Sequence, residues 1–170
     1  GIEPLLLDKG RAAQNIETAD NYLTSAGAKV QYSHAPPYYN YKKDYINLLH
    51  KDNYKDTKHS TATESFYSAW THELTHWTGN KERNDRVMTG DQQSDEYAFE
   101  ELIAELGSIF LCQKLGIALE PRVDNAAYMA SWIKRIRSDN NALIRATKLA
   151  QHAIDYIDQV SDININVPGE

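Results

Sequence analysis

The sequence predicts an α+β fold, in which a small antiparallel or mixed sheet lies between a first helix and four later helices. Two observations lead to this prediction. Short segments rich in tyrosine and β-branched residues lie between residues 29 and 49, and they are interrupted by proline and polar residues in the manner of short strands. From residue 61 onward, apolar residues recur with helical spacing through four long segments.

The size and composition of the chain fit one domain. The 170 residues are 41% hydrophobic and 25% charged, and we predict a domain over residues 11–170, with residues 1–10 a linker or a truncation point. No apolar run approaches the roughly 20 residues of a membrane span, and no secretion signal precedes the first helix, so we expect a cytoplasmic protein with no membrane partner. A net charge of −6 without a dense Lys/Arg block argues against nucleic-acid binding by this region alone.

The first predicted helix covers residues 11–26 and ends at Gly27. Its apolar side chains share one face: Ala12, Ile16, Ala19 and Leu23. A strand over residues 29–34 follows, and residues 38–49 predict a strand, a turn and a strand. The tyrosines gathered in residues 36–45 have two interpretations, aromatic packing within a hairpin or a wall that contacts substrate.

The most clearly marked helix starts at Thr61, which forms a capping-box pattern with Glu64. His72 and His76 lie one turn apart on this helix, so both rings can reach a single ion, and Glu73 lies about 100° further round. Zinc-dependent hydrolysis needs two neutral imidazoles on the metal and a carboxylate beside the attacking water. The sequence therefore predicts a Zn²⁺ site with Glu73 as the catalytic base.

The third helix, residues 96–116, is apolar around most of its circumference and ends at Gly116. The remaining polar stripe consists of Tyr97, Glu101, Glu105, Ser108 and the single cysteine, Cys112, which cannot form a thiolate zinc cluster by itself. Two buried carboxylates one turn apart are costly unless a cation or strong hydrogen bonds compensate them. We therefore predict Glu101 as the third ligand and Glu105 as an acceptor that orients His72 or His76.

Three alternatives compete with this assignment. Glu101 and Glu105 could form an ordinary buried salt bridge with Arg or Lys. Glu82 could be the third ligand, because "HELTHWTGNKE" places it where a related frame has its last ligand, although Gly79 within that frame is explained as a helix stop. Glu100, directly before Glu101, is the third alternative as ligand, but it lies off the polar stripe and is expected to be a charge at the rim.

Two further helices complete the predicted fold. One covers residues 125–137 after Asp124 as N-cap, and the other covers residues 141–160 after Ser138 and Asp139. The expected core stripe of the last helix is Leu143, Ala146, Leu149, Ala153 and Ile157.

The segments "HELTHWTGNKERNDR", "YAFEELIAELGSIFLCQKLGI" and "AAYMASWIKRIRSDNNALIRATKLAQHAIDYI" together resemble the C-terminal metallopeptidase domain of ArdC antirestriction proteins and plasmid TraC-type primases. The resemblance runs from about Tyr38 to Ile157. It implies a zincin-like fold with a glutamate third ligand, in a protein of a plasmid or other mobile element. It also implies a separate N-terminal domain that binds single-stranded DNA, which we expect to be missing from this chain.

Residue by residue, the resemblance carries the family's metal and catalytic roles to His72, Glu73 and His76, and the third-ligand role to Glu101, next to a second glutamate. The loop "GDQQSDE" matches no family pattern. The expected reaction is hydrolysis of a peptide or protein, with the strand at residues 45–49 as the edge that aligns substrate.

A transition-state donor is also expected, and Tyr97, Tyr128 and His152 are the candidates. His152 lies beside a core stripe, which is more typical of a structural histidine. The alternative function is a non-catalytic, zinc-stabilised module that contacts a host protein or DNA.

Overall fold

A computed structural model of the protein describes residues 13–117, 123–136, 139–161 and 163, so the predicted linker at residues 1–10 lies outside the described part. The elements in chain order are α1 (Glu17–Ser25), β1 (Val30–Ser33), β2 (Tyr38–Asn40), β3 (Tyr45–Leu49), a 3-10 turn (Lys51–Asn53), α2 (Ala62–Thr78), α3 (Asp95–Lys114), α4 (Val123–Arg135) and α5 (Ala142–Val160). The predicted α+β class with a small mixed sheet is confirmed. Among these helices, none combines the length and the apolar character that crossing a membrane would need.

The sheet has the strand order β1-β3-β2, with β1 parallel and β2 antiparallel to β3. The expectation that residues 45–49 form an edge is therefore wrong, because β3 is the central strand. Its middle residues Ile46, Asn47 and Leu48 are fully buried, as expected for a strand that is hydrogen-bonded on both sides. β2 follows β1 in sequence but pairs with the other side of β3. β1 and β2 are therefore the two edge strands of the sheet.

The first helix starts later than predicted, at Glu17, and residues 13–16 are not helical. The backbone amides there have partners on α2: Gln14 N–H donates to Thr63 Oγ1 at 2.9 Å, and Ile16 N–H donates to Tyr67 Oη at 2.8 Å. These tertiary hydrogen bonds replace the first helical turn and attach the N-terminal segment to α2.

The predicted ends of α2 are confirmed, and α3 begins one residue earlier and ends two residues earlier than predicted. Thr61 and Glu64 form both hydrogen bonds of the capping box at the start of α2. The Ser94 side chain caps α3, and Gly116 follows that helix with φ of 68°, a left-handed conformation that glycine adopts without strain. Both helices are therefore fixed in length by local residues.

α2 and α3 approach closely at Gly107. A Cβ atom at this position would lie 2.4 Å from Thr75 Oγ1, so only glycine permits the observed distance between the helices. One turn along the contact, the hydroxyl oxygens of Thr71 and Ser108 are 2.9 Å apart. This packing turns the acidic stripe of α3 toward the histidines of α2.

The last two helices differ in detail from the prediction. α4 begins at Val123, so Asp124 lies inside the helix and is not its N-cap. In α5, Leu143 is 45% exposed and is not part of the core. The buried stripe contains Ala146, Ala153 and Ile157 as predicted, together with Ala142, Ala150 and Ile154, whereas Leu149 is partly buried. Small residues dominate this stripe because α5 packs closely along α3.

Candidate metal centre

Two histidines of α2 each direct their Nε2 atom toward one carboxylate of α3. His72 and His76 lie one helical turn apart, with ring centroids separated by 4.8 Å. His72 Nε2 lies 3.4 Å from Glu101 Oε2, and His76 Nε2 lies 3.3 Å from Glu101 Oε1. Each of the three residues offers one ligand atom, and these atoms lie within 4.8 Å of one another. The structure thus brings together the three residues that the sequence predicts as ligands.

Glu100 is not the rim charge that the sequence suggested. It is 6% exposed, and its Oε1 lies 3.0 Å from His76 Nδ1. The same carboxylate accepts hydrogen bonds from Arg86, with Nε 2.9 Å from Oε2 and Nη2 2.9 Å from Oε1. Glu100 therefore orients His76 and is itself held by a buried arginine. The buried arginine salt bridge that was an alternative for Glu101 and Glu105 is formed by Glu100 instead.

Arg86 was missed by sequence reasoning, since it lies in an irregular loop where no periodicity applies. Its side chain is 5% exposed and crosses the C-terminal end of α2, where it donates to Thr78 Oγ1 at 3.0 Å and to the Thr75 carbonyl at 2.7 Å. A Cβ atom on Gly79 would lie 2.7 Å from Arg86 Nη2. Gly79 therefore provides the space for this side chain as well as the end of the helix. The only signal in the sequence is a basic residue in the loop next to a helix stop.

Glu105 lies beside the other histidine, as the sequence allowed. Its Oε1 is 3.6 Å from His72 Nδ1, and its Oε2 accepts a hydrogen bond from Asn125 Nδ2 at 3.3 Å. Asn125 belongs to α4 and is 5% exposed. Both histidines thus have a carboxylate at Nδ1, while both Nε2 atoms point to Glu101.

The charges of the site are coupled. Burial by itself lowers the pKa of His76, but hydrogen bonds to Glu100 and Glu101 outweigh it and raise that pKa well above its usual value. The pKa of His72 is raised in the same way by Glu101. Burial raises the pKa of the Glu101 carboxyl, but its two histidine partners bring that pKa far below its usual range. Protons therefore compete with a cation for the ring nitrogens.

A cleft of about 470 Å³ opens over these residues. Glu73, which is 8% exposed, lines the cleft together with His72 and His76. Of the predicted transition-state donors, Tyr97 and Tyr128 also line the cleft. Tyr97 lies against Glu101. Burial is the larger cause and the charge of Glu101 the smaller cause that raise the pKa of Tyr97 to about 12. Tyr97 therefore keeps its proton at neutral pH.

Two other candidates lie away from the cleft lining. His152 is on the exposed side of α5 and is not among the described residues that line the cleft. Glu82, the rival third ligand, has a side chain that is 75% exposed and lies 3.8 Å from the Lys81 ammonium. The structure does not bring either residue to the histidines.

The tyrosine-rich segment forms one wall of the cleft. Pro37, Tyr38, Tyr39 and Tyr41 line it, which places the edge strand β2 beside the metal centre. Tyr38 packs edge-on against Tyr45, as the interpretation of aromatic packing within a hairpin predicts, and it also lines the cleft.

The donor set fits a divalent metal ion. Two imidazole nitrogens and one carboxylate oxygen are ligands that transition metals accept, and three protein ligands are typical of sites that leave a position open for water or substrate. A carboxylate beside the second nitrogen of each ring is also typical of histidines that bind metals.

Comparisons with known proteins agree with this geometry. A family model described as a zincin-like metallopeptidase matches residues 17–149. Over 155 residues, the chain is 33% identical to a DNA primase TraC of Escherichia coli and 32% identical to the protein y4eC of Sinorhizobium fredii. Each alignment covers 91% of this chain, but only 14% of the primase and 48% of y4eC. The chain thus spans half or less of the length of these relatives.

Two crystal structures of the antirestriction protein ArdC from plasmid R388 share the fold. The structure described as Mn(II)-bound has a TM-score of 0.70 and 31% identity, and the match covers 91% of this chain and 56% of ArdC. The metal-free structure has a TM-score of 0.68 and 32% identity, with 88% and 52% of the two chains covered. The sequence comparisons and the structure comparisons therefore both find proteins that match this chain over 88% to 91% of its length.

Proposed function

The chain belongs to the zincin-like metallopeptidase family, and from this premise we propose that it hydrolyses peptide bonds with the help of a bound divalent metal ion. The observation that carries the proposal is the convergence of His72, His76 and Glu101 in a cleft that Glu73 also lines. A site that only stabilised the fold would need ligands, but it would not need a carboxylate base beside them.

His72, His76 and Glu101 are the proposed ligands, and zinc is the proposed metal, because two imidazoles and a carboxylate form a common set for catalytic zinc. When bound, the ion supplies a Lewis acid that polarises the scissile carbonyl and makes a water molecule more acidic. Glu100 and Glu105 hold the rings through Nδ1, so that each Nε2 stays directed toward the metal position.

Glu73 moves the proton of the reaction. Its carboxylate takes a proton from the attacking water and later gives it to the leaving amine, so that the carboxylate is regenerated in each cycle. Its position directly after His72 on α2 places it in the same cleft as the ligands, and its low exposure keeps bulk water away from the carboxylate.

Tyr97 is the proposed donor to the oxygen that becomes negative in the transition state. Its hydroxyl keeps its proton because burial and the charge of Glu101 raise its pKa to about 12. Tyr128, which is 57% exposed on α4 and lines the same cleft, is the second candidate.

The relatives support a role in a protein of a plasmid or another mobile element. ArdC is described as an antirestriction protein, and TraC is described as a DNA primase. We propose that this chain serves the same kind of protein, with a peptide or protein as substrate in the cytoplasm. Single-stranded DNA would be bound by a region outside the cleft described above.

The test compares Glu73→Gln with Glu82→Gln, a matched change at an exposed glutamate outside the cleft. Zinc content, melting temperature and hydrolysis of β-casein are measured on each variant. Glu73→Gln should keep zinc and lose hydrolysis, since it removes the base and no ligand, whereas Glu82→Gln should match the unmodified protein. Equal hydrolysis by Glu73→Gln would refute the proposed mechanism.

The same variant distinguishes the non-catalytic alternative. If Glu73→Gln retains full antirestriction activity in cells while His72→Ala and Glu101→Ala lose it, the bound metal serves a binding module and not a peptidase.

A further inference from the structure

We propose that the cleft takes an extended protein segment bearing an aromatic or large apolar side chain, and that it rejects acidic segments and nucleic acid. This inference rests on the proposed function, because it names the substrate class of the same site. Four features carry it: the aromatic rings of the cleft, its charge, a hydrogen-bond network that fixes the tyrosine wall beside the ligand helix, and the edge strand β2.

Aromatic rings from two parts of the chain line the cleft. The β2 side presents Tyr38, Tyr39 and Tyr41, and the side formed by α3 and α4 presents Tyr97, Tyr128 and Trp132. The rings of Tyr97 and Trp132 pack edge-on with centroids 6.1 Å apart, so these two rings form one aromatic surface. Tyr38 and Tyr41 are 38% and 36% exposed, which leaves part of each ring free to contact a ligand. Such rings favour an aromatic or apolar side chain in the cleft.

The charge of the residues that line the cleft disfavours anions. Four glutamates line it, Glu73, Glu100, Glu101 and Glu105, and among the described residues that line it there is no lysine or arginine. The negative charge of these carboxylates exceeds the two positive charges of a divalent ion. Arg86 compensates Glu100 from behind, and it is not among the residues that line the cleft. A phosphate backbone or an acidic peptide would therefore meet repulsion, whereas neutral and basic peptides would not.

The β2 wall is fixed to the ligand helix by Arg83. The Arg83 side chain is 8% exposed, its guanidinium carbon lies 4.0 Å from the centre of the Trp77 ring, and its Nε donates to the Trp77 carbonyl at 2.6 Å. The same guanidinium donates to both carboxylate oxygens of Asp44, in the turn between β2 and β3, and to Tyr39 Oη at 3.1 Å. Tyr39 in turn donates to Asp44 Oδ1 at 2.7 Å. The tyrosine wall is thus held in place before any ligand arrives, which reduces the entropy lost on binding.

The main chain of β2 supports an extended ligand. This strand pairs with β3 and is an edge of the three-stranded sheet. A strand edge exchanges backbone N–H and C=O hydrogen bonds with an added peptide strand. Nucleic acid has no such alternation of backbone donors and acceptors. The strand edge and the ring surfaces therefore point to the same class of ligand.

The test measures binding to zinc-loaded Glu73→Gln, which holds a peptide without cutting it. The probes are a labelled ten-residue peptide with a central Phe, the same peptide with Ala in place of Phe, versions of the Phe peptide flanked by Glu or by Lys, and a ten-nucleotide oligo-dT. The Phe peptide should bind about tenfold more tightly than the Ala peptide and the Glu-flanked peptide. The Lys-flanked peptide should bind at least as tightly as the Phe peptide, and oligo-dT should not bind.

Variants of the wall provide the control. In the same background, Tyr38→Ala should weaken binding of the Phe peptide about tenfold, whereas Tyr38→Phe, which keeps the ring, should not. Tyr32→Ala removes an exposed tyrosine of β1 that does not line the cleft, and it should leave binding unchanged. Equal binding of the Glu-flanked peptide, binding of oligo-dT, equal effects of Tyr38→Ala and Tyr32→Ala, or no binding of any peptide would overturn the proposal.

Hydrolysis by the unmodified protein separates this proposal from the proposed function. If the unmodified protein with zinc cuts none of the peptides that Glu73→Gln binds, the peptidase proposal fails and the ligand preference stands. If it cuts the Glu-flanked peptide as fast as the Phe peptide, the ligand preference fails and the peptidase proposal stands.

Discussion

The two histidines of the candidate metal centre are held by different partners. His76 is fixed by Glu100, whose carboxylate is bound by the buried Arg86, whereas His72 has the longer contact to Glu105. A carboxylate that is itself held by a guanidinium fork has little freedom to turn away. We therefore expect Glu100 to control the orientation of its histidine more strongly than Glu105 does.

Glu100→Gln should weaken zinc binding by about 10- to 100-fold, since the neutral amide no longer attracts the Nδ1–H of His76 as the carboxylate does. The affinity is measured by competition with a chromogenic chelator. Glu96→Gln, an exposed change one turn earlier on α3, is the control and should leave the affinity unchanged. An unchanged zinc affinity in Glu100→Gln would show that the contact between Glu100 and His76 does not assist metal binding.

Contacts between elements decide whether the ligands meet. Glu101 reaches the histidines because α3 lies close to α2, and Gly107 makes that distance possible. Gly107→Ala would place a methyl group 2.4 Å from Thr75 Oγ1, against a β-branched side chain in the middle of a helix. Overpacking of this kind destabilises by about 1 to 3 kcal/mol, which corresponds to roughly 2 to 12 °C in melting temperature for a chain of this size.

Differential scanning calorimetry of Gly107→Ala checks this expectation, and Gly90→Ala is the matched control. A Cβ atom on Gly90 would lie 3.6 Å from the Tyr41 hydroxyl, which is ordinary van der Waals contact. If both variants melt at the same temperature as the unmodified protein, the helices can separate without cost and the close contact is not required.

The hairpin that carries the tyrosine wall depends on one ion pair between elements. Hydrogen bonds from Arg83 lower the pKa of Asp44 against the opposing effect of burial. Because the folded-state pKa is depressed, the ionised carboxylate stabilises the fold above its unfolded pKa of 3.8, and this contribution disappears as the pH falls through the lower, folded value. Asp44→Asn should therefore reduce the melting temperature at pH 7, and the difference from the unmodified protein should shrink below about pH 4.

Thermal melting of both proteins between pH 7 and pH 2.5 measures this difference. Asp52→Asn changes an exposed aspartate in the 3-10 turn and is the control. A difference between Asp44→Asn and the unmodified protein that stays constant down to pH 2.5 would mean that the loss comes from packing and not from the ionised carboxylate.

Across the whole molecule, the features that could be predicted are those that local sequence determines. The capping box at Thr61, the glycine stops and the spacing of His72 and His76 depend on residues within one or two helical turns. Glu101 could be placed because a carboxylate on an otherwise apolar helix requires a buried partner. These local signals were sufficient for the fold class and for the residues that meet at the centre.

The features that were missed depend on contacts between distant segments. Helical periodicity placed Glu100 at the rim, but Arg86 from the loop between α2 and α3 buries and pairs it. The order of the strands follows from the parallel pairing of β1 with β3, which no local pattern encodes. Likewise, Leu143 and Ala142 fit the helical spacing of the core stripe equally well. Only the packing of α5 on α3 shows that Ala142 faces inward.

The metal should stabilise the whole molecule, because its ligands come from two helices that meet only in the folded chain. His72 and His76 belong to α2 and Glu101 belongs to α3, so an ion that binds all three favours the folded state alone. At a free zinc concentration 100 times the dissociation constant, the gain is about 2.7 kcal/mol, or roughly 5 to 10 °C in melting temperature. Removal of the ion with a chelator should reverse this gain.

Glu101→Ala should abolish the zinc-dependent shift, while Glu82→Ala, the exposed rival ligand, should retain it. Melting curves with zinc and with chelator decide between the two glutamates, and a shift that survives in Glu101→Ala but disappears in Glu82→Ala would identify the loop residue as the third ligand.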